Sequence, residues 1–367
     1  LSGRNASWWL LGTSMVATTF AADTPLAVSG FVIKKGISWN WFWWCLAMSG
    51  LMVVFFFARL WRRSKVLTDV ELVEQRYSGK PAKFLRGYLA VHSGVLTNCI
   101  VIGWVNLAMV KGLSNTVGID QDLALYFCFG FSLLYTMIAG LAGVMATDFI
   151  QFIIAMFGSI YLAVAAVNGV GGLGEIHSSL ASAHGAERAG EITAMFPRSS
   201  SDLFVPILIF VFFQWWSASN IGGGSYVVQR MLSAKDERHS FLGTLWYNIA
   251  NHCVRPWPWI MVGLCAAIIY PALEDPEIGY VLLMKKFLPS GMLGLVIVSF
   301  FAAYMSTIDT HLNWGSSYIV NDIYKRFIKR NASDRHYVIA SMIVTVLIAS
   351  LGMLVTTMMN SIREGWY

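Results

Sequence analysis

Long apolar runs separated by short polar connections dominate the chain. The runs are about 20 residues each, the length that crosses a ~30 Å hydrocarbon core as a helix. Nine spans follow from the pattern: Trp8–Ile33, Trp39–Trp61, Phe84–Val110, Leu123–Leu141, Val144–Val167, Leu203–Met231, Phe241–Tyr270, Leu293–Ile323 and Tyr337–Met359. Two of them predict interrupted helices. The first carries Asp23-Thr24-Pro25 in its middle, where proline withholds a backbone donor. The sixth carries Asn220-Ile221-Gly222-Gly223-Gly224, and three glycines do not hold a helix in lipid without neighbours. The ten-residue alternating segments of a β-barrel are absent.

The interrupted spans are the first and the sixth, five apart. With five spans per unit they hold the same place in two repeats of opposite orientation, which points to a binding site near the midplane. The predicted division is residues 1–168 as a first five-helix repeat, 169–202 as an external loop rich in Gly, Ser and Ala, and 203–367 as a second, inverted repeat lacking its last helix. The repeat rests on topology alone, because the halves share no residue-level pattern. The chain starts at Leu1 and stops at Tyr367 just after an apolar span, so both ends read as cut.

Composition narrows the class further. The 367 residues are 56% hydrophobic and only 13% charged, with a mean hydropathy of +0.59, against about 25% charged in soluble domains. That leaves too little polar surface to face water, and the class is an all-α bundle in a bilayer. The net charge of +6 does not point to nucleic acid, because the basic residues lie in the loops. Seventeen, among them Arg62, Arg86, Arg230 and Arg326, fall on one side, against eight on the other, among them Lys34, Lys111, Arg188 and Arg363; Arg255 sits inside a span. The positive-inside rule makes the first side cytoplasmic. Localisation to the plasma (bacterial inner) membrane, multi-pass, is expected. Thr68–Ser78 predicts a short amphipathic helix on the inner surface, and Trp8, Trp9, Trp39, Trp41 and Trp61 an interfacial belt. The five cysteines lie within apolar segments at no metal-ligand spacing, which predicts free, packed thiols.

Polar residues inside the spans carry the chemistry. In span eight, Ser306, Asp309 and Thr310 fall at i, i+3 and i+4 and share a face. Oxygen-only ligands suit a hard cation, by analogy with calcium and magnesium. A carboxylate at this depth costs about 2.5–3.5 kcal/mol on an insertion scale and needs a partner. The alternative is that the hydroxyls bond back to their own helix and Asp309 faces another polar side chain. In span seven, Asn248, Asn251, His252 and Arg255 form one polar stripe at i, i+3, i+4 and i+7, followed by a kink at Pro256 and Pro258. Arg255 stays charged and pairs structurally, with Asp23 the first candidate, or meets a substrate carboxylate. His92, Asn98 and Asn106 of span three read as interhelical glue. Trp43 and Trp44 of span two wall a cavity or face lipid.

Four segments in order resemble the sodium:solute symporter family: Ala139-Gly140-Leu141 leading to Thr147-Asp148-Phe149-Ile150-Gln151; Gln229-Arg230-Met231-Leu232-Ser233-Ala234-Lys235; Ala302-Ala303-Tyr304-Met305-Ser306-Thr307; and Asn321-Asp322-Ile323-Tyr324-Lys325-Arg326. The resemblance implies a LeuT-type five-plus-five inverted-repeat bundle whose members take up sugars, proline, sialic acid and related solutes. It implies a sodium site made of the backbone carbonyls of Ala17, Phe20 and Ala303 and the hydroxyls of Ser306 and Thr307. In some members a second cation lies lower down, and the matching positions are Asp148, Ser306, Asp309 and Thr310. An acid at both Asp148 and Asp309 departs from the commoner pattern and strengthens that site or places a proton there; Asp148 bonding only nearby backbone or Gln151 is the other possibility. The substrate site falls at the two breaks, on Asp23, Thr24, Trp43, Gln214, Ser217, Asn220, Asn251 and Arg255. The Gly-Gly-Gly stretch differs from the Asn- and Tyr-rich form of the sugar carriers, and Asp23 serves equally as a stabiliser of the break.

The expected function is sodium-coupled symport of a small polar organic solute (a sugar, amino acid or carboxylate), with Na+ as coupling ion and no organic cofactor. A proton-coupled or uncoupled carrier of the same fold and a transporter-like sensor are the alternatives. An enzyme using His252 or His311 is disfavoured, since no nucleophile motif or phosphate loop accompanies them. A channel is disfavoured by the lack of a repeated filter element.

Overall fold

Asp23-Thr24-Pro25 breaks the first span as the sequence predicts, and the break sets the architecture. In the computed structural model, which describes residues 4–217 and 223–359 with the side chains of 138–142, Ser217 and Ser225 aside, span one is two helices, Trp8–Thr19 and Asp23–Lys35, bent by 60°. Pro25 falls in the first turn of the second half, where the missing N–H costs no helical bond. Asp23 opens that half, with its carboxylate at the positive end of the helix.

Beyond the bent pair, six helices among the described residues are long and apolar enough to cross a membrane: Ile37–Ser64, Gly79–Val117, Gly143–Gly169, Glu237–Ile269, Ser290–Ile328 and Asp334–Met358. Spans four and five share one helical backbone run, Gln121–Gly169. Twelve residues along a straight helix cover about 18 Å, yet the Tyr135 hydroxyl lies 2.6 Å from Thr147 Oγ1. The run therefore folds back between those two residues. Span six is likewise split, into Phe204–Gln214 running on to Ser217 and a separate Ser225–Ser233. Gly223 between them has φ +75°, a left-handed conformation that favours glycine. Ser217 (by its side chain) and Asn220 lie outside the described residues.

The first half of span one packs against span seven, where Gly12 and Gly243 meet so closely that a Cβ on Gly12 would come within 2.4 Å of the Gly243 carbonyl. Span eight packs against spans four and five, span nine against span three, and the second half of span one against the outer half of span seven. The core runs along the inward faces of these helices, from Phe20 and Leu26 through Trp259 to Ala303 and Ile308.

Among the described residues five stretches are π-helical: Val53–Phe57, His92–Thr97, Phe210–Gln214, Ala250–Val254 and Tyr318–Ile328. Each widens the turn by one residue and shifts the face that later side chains present. The segment expected as an external loop folds into two short helices, Ile176–His184 and Ala186–Thr193. The short helix expected within Thr68–Ser78 is Glu71–Arg76, and it is clasped to the end of span eight. Arg86 of span three donates to Asp322 at 2.5 and 2.8 Å and to Glu74 at 2.6 Å, while Arg326 reaches Glu74 at 2.9 Å. The Thr68 hydroxyl adds a bond to Asp322 and Tyr318 one to Asp69. The two arginines hold the Glu74 carboxyl well below its ordinary range, at about 2, with the Arg326 hydrogen bond the largest cause.

Several surface expectations need correction. Arg86 and Arg230, counted as cytoplasmic loop cations, are buried, because each has found polar partners inside the bundle. Trp39 is buried beneath the Lys35 ammonium, 3.3 Å from its ring centroid, while Cys253 alone among the cysteines is exposed.

Candidate functional site

The break in span one faces span eight. Because Phe20 to Ala22 leave the helix, the last carbonyls of the first half lack intrahelical partners and look for them outside. Thr307 Oγ1 lies 2.8 Å from the Thr18 carbonyl and 3.1 Å from the Ala303 carbonyl of its own helix. The Ala17 carbonyl receives the Phe20 N–H at 2.9 Å. Ala17, Phe20, Ala303, Ser306 and Thr307 are all buried here. The cross-span bond falls on Thr18, one residue from the predicted carbonyl, and Ser306 is not turned toward the break: its hydroxyl donates to Asp148 Oδ1. What results is an uncharged cluster of carbonyls and one hydroxyl, the kind of oxygen set a desolvated monovalent cation takes.

One turn deeper the chemistry is ionic. Asp148 is buried on span five, and its Oδ2 accepts the Ser14 hydroxyl at 2.6 Å. The Arg230 guanidinium, fully buried, stands in the same pocket: Nη2 lies 2.7 Å from Thr310 Oγ1, 3.3 Å from Thr18 Oγ1 and 3.8 Å from Asp148 Oδ2, and Nε lies 3.3 Å from Ser14 Oγ. The Thr18 and Thr310 hydroxyls are themselves 3.2 Å apart. Of the four residues predicted for a second cation, Asp148, Ser306 and Thr310 thus converge, while Asp309 is buried with Oδ1 accepting from Asn313 Nδ2 at 2.8 Å. The sequence hid Arg230 because it follows a broken span in a basic segment, where an arginine reads as a surface anchor. The clue was Gln229-Arg230 standing before the polar run rather than within it.

Above and beside the break lie two adjoining cavities. One, of about 320 Å³, is lined by Asp23, Thr24, Trp43, Gln214, Tyr226 and His311, among others, and reaches Thr18 and Thr307. The second, of about 420 Å³, shares Thr19, Trp43 and Tyr226 with it and adds Asn248, Asn251 and His252. The structure therefore brings Asp23, Thr24, Trp43, Gln214 and Asn251 together. Arg255 is the exception. It is buried and lines neither cavity; Nη1 lies 2.9 Å from Thr19 Oγ1 and 3.3 Å from the Val16 carbonyl, and the guanidinium sits 5.1 Å from the Trp43 ring and 5.5 Å from that of Trp259. The π turn at Ala250–Val254 rotates Arg255 off the stripe that ideal helical spacing predicts. Thr19 also donates to Asn251 Oδ1 at 3.1 Å, so the stripe's residues tie span seven to the end of the first half-helix.

The polar residues of span three act as glue. Asn98 bonds the His311 carbonyl at 2.6 Å and its Nδ1 at 2.5 Å. Asn106 receives the Tyr304 hydroxyl at 2.8 Å and reaches Thr356 at 3.1 Å. Trp44 packs on Trp41 and Trp257.

Comparison with known proteins gives the family and the fold. The profile of the sodium:solute symporter family matches residues 1–363. A sodium/glucose cotransporter 4 of Danio rerio is 24% identical over the whole of this chain, which spans 59% of that protein's length. A sodium/glucose cotransporter of Vibrio parahaemolyticus is also 24% identical, with 70% of its length spanned. Among solved structures, a substrate-bound, outward-open Na+-coupled sialic acid symporter superposes with a TM-score of 0.82 at 21% identity, covering 97% of this chain and 75% of that one. The chain has that fold.

Proposed function

Because the chain belongs to the sodium:solute symporter family, we propose that it is a sodium-coupled secondary active symporter that takes up a small polar organic solute by alternating access. The observation that carries this reading is the contact of Thr307 with the Thr18 carbonyl across the break in span one, beside the cavity that holds Asp23, Thr24, Trp43 and Gln214. Sodium sits at that cluster, on the carbonyls of Ala17, Phe20 and Ala303 with the Thr307 hydroxyl and, once it turns away from Asp148, that of Ser306, and solute sits in the cavity alongside. One ion then bridges the first half of span one and span eight, elements that belong to opposite repeats if the chain divides at residues 168 and 203. Binding holds the break in one geometry, and solute closes the cavity over it.

Asp23, Thr24, Trp43, Gln214 and Asn251 contact the solute in this reading, with Ser217 and Asn220 completing the wall from span six. Arg255 is a structural cation behind Trp43 rather than a partner for a substrate carboxylate.

Uptake into proteoliposomes, measured with the full-length protein with and without an inward sodium gradient, tests the coupling. Uptake should collapse without the gradient and in Ser306→Ala/Thr307→Ala. Uptake indifferent to both sinks the reading, and uptake that follows a pH gradient instead transfers it to a proton carried at buried Asp309. Thermal-shift screening of sugars, amino acids and carboxylates names the solute; stabilisation by none of them, with sodium present, counts against a cavity for small polar organics.

A further inference from the structure

Two histidines line the cavities beside the break, and their ring nitrogens are engaged differently. In His252 both are taken: Nδ1 lies 3.0 Å from the Asn248 carbonyl and Nε2 3.2 Å from Asn251 Nδ2. Thr19 already donates to Asn251 Oδ1, so the Asn251 amide turns its N–H to His252. In His311 only one nitrogen is taken. Nδ1 lies 2.5 Å from Asn98 Oδ1, while Nδ2 of the same amide donates to the carbonyls of His311 at 2.6 Å and Gly94 at 3.3 Å. Turning the Asn98 amide over would set its oxygen against those two carbonyl oxygens, so Oδ1 stays at the ring. An amide oxygen only accepts, and the proton of the His311 ring therefore sits on Nδ1. Among the described residues no hydrogen bond reaches Nε2, and the ring's bonds include no carboxylate to hold an imidazolium. A charge buried without a counter-charge is costly, so the ring is neutral and Nε2 is a bare acceptor. Tyr226 and Trp314 flank the ring, with centroids 5.9 and 5.7 Å away, and the space it lines is the cavity of about 320 Å³.

We propose that His311 is a specificity-determining residue of this cavity: its Nε2 accepts a hydrogen bond from a hydroxyl or amine group of the solute, and Asn98 is the positioning residue that holds the proton on Nδ1. The inference rests on the reading of this cavity as the solute site. A solute with an O–H or N–H to give satisfies the open acceptor. A bare carboxylate sets lone pairs against a lone pair there, and among the described residues neither cavity is lined by a lysine or arginine that would compensate. A site built to bond a donor group discriminates against analogues lacking it, because its own polar group is then left unpaired. The solute class narrows from sugars, amino acids and carboxylates to polyols and amines, free amino acids included.

Nitrogen NMR of the full-length protein carrying isotope-labelled histidine tests this, with the His311 signals assigned by their loss in His311→Gln. Without solute, Nδ1 should be protonated and Nε2 bare, and Asn98→Leu should divide the signal between the two tautomers. The probes are D-glucose, myo-inositol, L-proline and choline, each with a donor group, and acetate, which has none. A donor probe that binds should move the Nε2 resonance towards the protonated position, and acetate should leave it unmoved; this measurement on the wild type needs no variant to fold. In uptake of that probe, His311→Leu should raise KM at least about tenfold, with sodium binding measured without solute within a few-fold of wild type. His311→Gln, whose side-chain oxygen is again an acceptor, should recover most of the loss. A doubly protonated ring, a bare Nδ1, binding by acetate alone, or a parallel loss of sodium binding in His311→Leu overturns the proposal. An Nε2 that ignores a probe the protein takes up overturns it and leaves the solute site standing. Binding by no probe overturns the solute reading of the cavity with it, whereas an Nε2 shift alongside sodium-independent uptake sinks the coupling and upholds His311.

Discussion

Two polar clusters one helical turn apart share hydroxyl residues, yet one is uncharged and the other holds a buried ion pair. At the upper one, Thr307 meets the carbonyls of Thr18 and Ala303 and no ionised group takes part. At the lower one, Ser306 and Thr310 serve a buried carboxylate and a buried guanidinium. A hydroxyl therefore does not identify a cation site. What distinguishes the two is whether a charge of the protein's own already occupies the centre.

The largest effect expected from breaking this contrast is on the lower cluster. Asp148→Asn strands the Arg230 charge, and removing one partner of a buried pair costs about 3–5 kcal/mol. Thermal unfolding of the detergent-solubilised protein should show a large loss of stability, most of it recovered in Asp148→Asn/Arg230→Gln. Equal losses in the single and double variants would mean that the two groups do not depend on each other.

At the upper cluster the expected effect is on coupling instead. Thr307→Ala should raise the half-saturating sodium concentration at least about tenfold, or 1.4 kcal/mol, with little change in unfolding temperature. Thr310→Ala should leave sodium affinity within a few-fold. Reversal of that order would place the ion at the lower cluster.

Spans, both breaks and the hydroxyl run of span eight were legible in the sequence, because a bilayer enforces length and apolarity over whole segments. The partner of Asp148 was not. It comes from Arg230, 82 positions away in the numbering, and is brought there by the split in span six. Nor was the position of Arg255 legible, since one π turn at Ala250–Val254 is invisible to a count of 3.6 residues per turn. Asp322 and Arg326 were recognised as a motif, yet their role as a clasp needed Arg86 and Glu74 from elsewhere.

Trp43 sharpens the division between ion and solute, since it lines both cavities and covers Arg255. Trp43→Ala should raise the solute KM severalfold and leave the sodium requirement of the upper cluster nearly unchanged; a parallel rise in both would show that the cavity wall and the ion cluster are one site.

The smallest effect belongs to the clasp around Glu74 and Asp322. With its carboxyl lowered to about 2 from an ordinary value near ~4.3, Glu74 contributes stability that is present above the ordinary value and lost as pH falls through about 2. Glu74→Gln should cost up to about 1 kcal/mol near neutral pH, as partly exposed ion pairs do. The gap from wild type should narrow steadily as pH is lowered from about 4.5 towards 2; a gap independent of pH would show that Glu74 acts by packing rather than by charge.

Arg230 also links the second half of span six to span five without a covalent bond. Its guanidinium cannot shed its proton, and the Asp148 carboxylate 3.8 Å away is as deeply buried. Parting the two segments would leave each charge without its counter-charge, which is costly inside a bundle.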